Sequence, residues 1–351
     1  MDVEPFDLAP GYRISRLIRG GWQLAGDHGP VERDRAIADM ARFIEYGVVT
    51  FDCADIYTGV EEMIGDFRRA HLARHGAASL ARMKVHTKFV PDLAALPTLD
   101  RAYVVRVIDR SLQRLGLERL DLVQFHWWDY GVPGWEQAAL WLQELADAGK
   151  IHLVGGTNFD TPHCADMIAA GVRLASMQVQ YSLLDRRPET ALAALCARSG
   201  MKLLCYGTIA GGFVTERWLG KPEPTDLSFN RSLVKYKLII EDFGGWVLFQ
   251  ELLATLDRIA RRHGATIANV ATRWVLDRPQ VAGVIVGARY AGHLQANLGV
   301  FALRLDAEDH AAIDAVLAKR GGPHGDTYAL ERDRTGRHGR IMKYDLSDAK
   351  R

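Results

Sequence analysis

Short runs of apolar, often β-branched residues alternate along this chain with longer segments whose apolar positions recur every three to four residues. The runs are Ile14–Gly20, Val48–Ala54, Lys84–Val90, Leu120–Trp127, Ile151–Asn158, Ala175–Ser182, Lys202–Thr208 and Val281–Ala288, each long enough for one strand. Stretches such as Glu32–Tyr46, Asp100–Leu115, Gly134–Ala148 and Pro188–Arg198 carry one apolar face and read as helices. The pattern predicts eight strand-then-helix units. A continuously apolar strand such as VAGVIVG (281–287) implies a parallel sheet whose outer face is covered by helices.

Two architectures fit eight such units. A doubly wound sheet would show a GxGxxG phosphate loop directly after its first strand, and IRGGWQLAGDHG (18–29) does not provide one. The expectation is therefore a closed (β/α)8 barrel, taken as a single domain over residues 1–351. Three features decorate it: a long Pro-, Gly- and aromatic-rich connection after the seventh strand, 210–245; extra helices near Trp246–His263, Ile267–Leu276 and Ala307–Lys319; and a polar C-terminal tail, 321–351, expected to be loose or wrapping.

Composition narrows the function classes. With 351 residues, 48% of them hydrophobic, the core is ample, so neither metal nor disulfide is needed for stability. A formal net charge of +1 asks for no nucleic acid and no anionic membrane. Cys53, Cys164, Cys196 and Cys205 form no CxxC pair and read as reduced thiols. No secretory signal is visible at the N-terminus, and no apolar run approaches the roughly 20 residues of a membrane span. A soluble, cytoplasmic protein is expected. Nothing in the pattern specifies an oligomeric state.

In a (β/α)8 barrel, chemistry sits at the C-terminal ends of the strands. The second strand ends in FDCADIY, giving Asp52 and Tyr57; the third ends in VHTKF, giving Lys88; the fourth ends in VQFHWW, giving His126. Four ionisable groups thus reach one rim from three neighbouring strands. A lysine on an apolar strand needs a carboxylate, and Asp52 is the evident partner. An ammonium beside a phenol stabilises the phenolate, which predicts a Tyr57 pKa below the usual 10 and a usable proton donor. His126 is expected to donate a hydrogen bond to a carbonyl oxygen. The set suits reduction of C=O, with hydride supplied by a nicotinamide cofactor.

TFDCADIYTGVEEMIG (50–65), HTKF (86–89) and LVQFHW (122–127) resemble, in order, the signature segments of the aldo-keto reductases, and the likeness runs from about Tyr12 to Leu317. The resemblance implies a TIM barrel with Asp52, Tyr57, Lys88 and His126 as catalytic tetrad and Tyr57 as general acid or base. It further implies that GGTNF (155–159) places Thr157 and Asn158 at the nicotinamide carboxamide together with Gln178. Tyr206 would stack on the ring, and Gly207, Thr208, Ile209 and Gly211 would follow the pyrophosphate. The family's usual Ser-Pro is replaced here by Gly207-Thr208, so one hydroxyl contact is either lost or moved to Thr208. Gly21 and Trp22 of IRGGWQ fall on the cofactor and substrate side of the rim. VGARYAGHLQANLGVF (286–301) resembles the segment that binds the adenosine 2′-phosphate, placing Gly287, Arg289, His293 and Asn297 there.

A guanidinium can clamp a phosphate bidentately, so Arg289 implies NADPH in preference to NADH. The lysine and acidic residue of some family members are absent, with Gly287 and Ala296 in their places. Trp22, Trp127 and Trp128, beside Tyr57 and His126, suggest an aromatic-walled pocket for an apolar or ring-shaped carbonyl compound. The 210–245 connection and the tail segment Asp326–Lys343 could cover it. Two rivals remain at this stage: a nicotinamide-binding regulatory subunit similar to the potassium-channel β-subunits, and a metal-dependent barrel hydrolase, for which His126 lacks an evident second ligand.

Overall fold

A computed structural model describes residues 3–26, 29–227, 230–344 and 346. Residues 228–229 of the expected long connection, and 345 and 347–351 of the expected tail, lie outside the described residues. The ten strands are β1 (Pro5–Ala9), β2 (Tyr12–Ser15), β3 (Leu17–Gly20), β4 (Thr50–Asp52), β5 (Lys84–Phe89), β6 (Leu120–Phe125), β7 (Ile151–Thr157), β8 (Leu174–Gln180), β9 (Lys202–Tyr206) and β10 (Val281–Gly287). β3 to β10 close into a barrel in sequence order, with β10 paired to β3, and every neighbouring pair is parallel. All eight expected barrel strands are present.

Their covering helices are α1 (Arg33–Glu45), α2 (Val60–His75), α3 (Arg101–Leu115), α4 (Trp135–Asp147), α5 (Thr161–Ala169), α6 (Ala191–Ser199), α7 (Arg231–Phe243), α8 (Gly245–His263), α9 (Ile267–Leu276), α10 (Leu294–Leu298), α11 (Ala307–Leu317) and the short α12 (Ala329–Arg332). Their ends follow local chemistry. Asp100 caps α3 by accepting from the Tyr103 N–H at 2.7 Å, and Gly116 ends it in the left-handed region. Thr266 and Asn269 form a capping box on α9. Their apolar stripes pack against the outward-facing strand residues, for example Phe43 of α1 on Phe51 of β4.

Two departures from the sequence-based expectation bear on the site. The run expected as one strand, Ile14–Gly20, breaks at Arg16. Its first part pairs antiparallel with β1, and the resulting hairpin, turned at Pro10-Gly11, packs Leu8, Tyr12 and Ile14 against Ile18, Leu122, Leu204 and Ala282 inside the barrel. That end is thereby plugged, leaving the C-terminal rim for chemistry. The long connection, expected without regular structure, contains α7, capped by Asn230, whose side chain accepts from the Ser232 and Leu233 N–H groups. All four cysteines are free and buried. No helix among the described residues is long and apolar enough to cross a membrane.

Candidate active site

Three adjacent strand ends build the centre of the rim. Asp52 closes β4 and Lys88 is the penultimate residue of β5, so both side chains point into the barrel mouth. The Lys88 ammonium donates to Asp52 Oδ2 at 2.7 Å and to the Cys53 carbonyl at 2.8 Å. The other carboxylate oxygen of Asp52 accepts from Gln124 Nε2 at 3.1 Å and Gln178 Nε2 at 2.7 Å, and Gln178 also donates to Gln124 Oε1. This buried pair is thus hydrogen-bonded on both sides, the condition under which a buried ion pair is tolerated. Gly21 lies so close that an added Cβ would stand 2.7 Å from the Asp52 carbonyl oxygen, the group to which its own N–H donates. Packing alone therefore accounts for glycine at this position.

Tyr57 turns back over the pair. Its ring centroid is 5.0 Å from the Lys88 ammonium and 5.0 Å from the ring of Trp22. The expected depression of its pKa is not found. Burial outweighs the pull of Lys88, and nearby Asp52 adds to the upward push, so the phenol is raised to about 12 although part of the residue stays open to solvent. Burial also works against the Lys88 ammonium, but Asp52 and Tyr57 more than offset it and its pKa is raised. At neutral pH the phenol of Tyr57 and the ammonium of Lys88 therefore both keep their protons.

His126 follows β6 and is fully enclosed. Its Nδ1 lies 2.9 Å from the carbonyl oxygen of Thr157. A carbonyl oxygen only accepts, so the proton sits on Nδ1. Burial, reinforced by Arg332, pushes the imidazole pKa down to about 3, so the ring is neutral and Nε2 carries a lone pair. That buried nitrogen has no hydrogen-bond partner among the described residues. The expected donor is thus an acceptor in this structure, suited to an O–H group. Trp128 meets the His126 ring edge-on at 4.4 Å, and Tyr328 does so from the other chain end at 5.7 Å.

Of the three tryptophans expected at the mouth, Trp22 and Trp128 are there and Trp127 is not. Trp127 is fully buried, its indole N–H held by the Asp129 and Val132 carbonyls. The positions expected at a cofactor fall along the same rim. Asn158, in the left-handed region, accepts on Oδ1 from the Tyr206 hydroxyl at 3.0 Å, which leaves its amide NH2 as a donor. Gln178 is committed to Asp52, and the hydroxyl of Thr157 faces the Gln178 carbonyl at 3.3 Å. Gly207 and Gly211 both take positive φ, and Cβ atoms there would press on Tyr236. Ile209 begins the turn that follows. Thr208 is buried with its hydroxyl 3.3 Å from that of Thr272. Gly287 ends β10 against the Gln23 side chain, and Arg289 lies beside Gly29. His293 and Asn297 follow on the exposed turn and α10. Positive-φ glycines at 207, 211 and 212, with the Lys235 ammonium 5.2 Å from the neighbouring Tyr206 ring, fit a phosphate-bearing cofactor.

Several residues of the mouth carry no signal that sequence reasoning used. Gln124 is two positions before His126 on the same strand face, so alternation could have found it. The tail supplies the rest. Arg332 donates to the carbonyls of Trp127, Trp128 and Asn158. Glu331 forms a bidentate pair with Arg187 at 2.9 and 3.0 Å, and Arg187 also grips Asp185. Asp326 accepts from the Thr161 backbone and hydroxyl. The tail is therefore a strap across the rim. Among the described residues one His and carboxylate group could share an ion, His263, Asp306 and Asp309, but both carboxylates are tied to Arg262 between α8 and α11, and His263 to Asp309. A concavity of about 650 Å³ lined by Asp7, Leu8, Ala9, Pro10, Gly11 and Arg13 opens on the plugging hairpin, beside the exposed Asp7–Arg13 pair. The Asp52, Lys88 and His126 side chains lie at the other end.

A family profile described as the aldo/keto reductase family matches residues 16–318. The aldo-keto reductase YhdN of Bacillus subtilis is 27% identical over 317 residues, covering 88% of this chain and 91% of its own. The NADH-specific methylglyoxal reductase of Escherichia coli K12 is 24% identical, with 84% and 92% covered. Among solved structures, the glycerol dehydrogenase AKR11B4 from Gluconobacter oxydans is similar at a TM-score of 0.73 and 25% identity, covering 90% of this chain and 95% of its own.

Proposed function

Because the chain belongs to the aldo/keto reductase family, we propose that this oxidoreductase reduces an aldehyde or ketone to the alcohol with NADPH, reversibly, and with Tyr57 as general acid. Barrel and tail would work as one domain. The observation that carries the reading is the Lys88 ammonium held by Asp52 at 2.7 Å and by the Cys53 carbonyl, beneath the Tyr57 ring at 5.0 Å. Nicotinamide supplies the hydride when bound. The Tyr57 hydroxyl hands its proton to the carbonyl oxygen as that oxygen gains charge. Lys88 then stabilises the phenolate left behind, and Asp52, braced by Gln124 and Gln178, fixes the ammonium in place. The lone pair on His126 Nε2 accepts from the O–H of the alcohol, orienting it for the reverse reaction. Asn158 and Tyr206 would hold the nicotinamide end, and Trp22, Trp128 and Tyr328 would wall the substrate.

The test is a spectrophotometric screen of NADPH oxidation against aldehydes, quinones, sugar-derived ketones and polycyclic ketones, repeated across pH. A phenol raised to about 12 stays protonated through neutrality, so kcat/KM for reduction should be flat from about pH 6 to about 9. Oxidation needs the phenolate, whose share rises about tenfold per pH unit below the pKa, so alcohol oxidation should climb steadily. With His126 near 3, the imidazole adds no break in this window. An oxidation profile that levels off near neutrality would contradict the assignment.

The preference for NADPH rests on Arg289. Losing a charge-assisted bond to the 2′-phosphate costs about 1.5–3 kcal/mol. Arg289→Ala should therefore lower kcat/KM with NADPH by roughly tenfold or more while leaving NADH nearly unchanged. Equal values for the two cofactors in the unaltered protein would refute the preference, and the family does contain an NADH-specific member.

A further inference from the structure

Lys235 has the least satisfied charge at the mouth. It lies in the second turn of α7 with its side chain 15% exposed, and its ammonium makes no hydrogen bond among the described residues. The rings around it belong to Tyr206, Tyr236 and Tyr328, with centroids at 5.2, 5.8 and 5.7 Å. Its nearest carboxylate oxygen, Glu331 Oε1, is 3.9 Å away and already accepts from Arg187 at 3.0 Å. Arg332, also at the rim, gives its hydrogen bonds to backbone carbonyls. Aromatic faces attract a cation but offer no oxygen to its N–H groups, and the partly exposed side chain leaves an open place for an acceptor. The adjacent residue shows where it would come from: a Cβ on Gly207 would stand 2.6 Å from the Tyr236 hydroxyl, and one on Gly211 2.8 Å from the Tyr236 ring. The same turn of α7 thus faces the Tyr206–Gly211 run and, through Tyr328, the His126 ring.

We propose that Lys235 is an anion-binding residue of the mouth, its ammonium taking a phosphoryl or carboxylate oxygen of a ligand that lies against Tyr206 and Tyr328. Two sources present that chemistry, the pyrophosphate of the cofactor and an acidic group on the carbonyl substrate. The inference rests on the carbonyl-reductase reading for the identity of those ligands. Burial depresses the Lys235 pKa against the pull of Glu331, and an arriving anion would restore the charged form.

The experiment uses the full chain with Lys235→Met and Lys235→Arg. Binding of NADPH, NADH and inorganic pyrophosphate is followed by the fluorescence of Trp22 and Trp128. KM is measured for an aldehyde bearing a terminal carboxylate and for its methyl ester. If the substrate supplies the anion, Lys235→Met raises KM for the carboxylate about tenfold relative to the ester, the loss of one charge-assisted hydrogen bond, with cofactor binding unchanged. If the cofactor supplies it, NADPH, NADH and pyrophosphate all bind about tenfold more weakly and the two aldehydes respond alike. Lys235→Arg restores most of either effect. Binding constants and the KM ratio within twofold of the unaltered protein, in a folded Lys235→Met variant, would overturn the proposal. Should Lys235→Met not fold, the ionic-strength dependence of pyrophosphate binding in Lys235→Arg and the parent decides, and no detectable binding in either overturns it. Failure of the parent reading looks different: no carbonyl compound is reduced by the unaltered protein, while the binding arms still report on Lys235.

Discussion

Tyr57→Phe is expected to lower kcat for carbonyl reduction by at least about a hundredfold and as much as about ten-thousandfold, the range over which a positioned general acid acts. The substitution removes one hydroxyl and keeps the ring, so the 5.0 Å contacts with Trp22 and Lys88 persist. Cofactor affinity should therefore stay within about twofold. The raised phenol pKa adds a second signature, because the climb of alcohol oxidation with pH should vanish with the hydroxyl. Both are read from steady-state rates beside a cofactor titration. A Phe variant with full kcat would remove Tyr57 from the chemistry, whereas lost cofactor binding would make its role structural.

The second large effect is expected at the strap. Glu331 is completely buried, paired with Arg187 and within 3.9 Å of Lys235. Burial alone would raise its pKa, but the two cations hold it at about 2, against 4.5 for an ordinary glutamate. Such a group contributes stability that is full above pH 4.5 and is lost as pH falls through the folded-state value. Glu331→Gln should mimic that acid loss at neutral pH. It leaves Arg187 with Asp185 only and Lys235 with no carboxylate, and breaking a buried pair costs about 3–5 kcal/mol. Protease cleavage between Asp326 and Leu346 should become faster and the urea midpoint should fall. Unchanged cleavage and midpoint would mean that the pair contributes shape alone.

The barrel was readable because its strands are apolar runs with one-sided helices between them, and all eight began or ended within two residues of the runs at one end or both. The ionisable groups at the rim were readable because rim position converts sequence spacing into direction: Lys88 and His126 stand at or just past strand ends, where a charged group is out of keeping with the run before it. The hairpin was missed because Ile14, Leu17 and Ile18 read together as one strand although Arg16 divides the run, and the Pro10-Gly11 turn was the available signal. Asn230 followed by Tyr236, Ile239, Ile240 and Phe243 at helical spacing marks α7, masked by its Pro- and Gly-rich surroundings. Glu331 and Arg187 are 144 positions apart, and no local pattern announces that a charged tail is charged because it is buried. The protonation states were also out of reach. The Tyr57 pKa depends on how much water the fold removes, and the His126 tautomer on a carbonyl from the next strand.

The four cysteines acquire a meaning beside this chemistry. Burial raises the pKa of each thiol, that of Cys53 well above its usual value even though its own carbonyl cradles the Lys88 ammonium. Alkylation requires an accessible thiolate, and here both the access and the ionised form are withheld. The thiols are therefore poor targets for enals, quinones and other electrophiles.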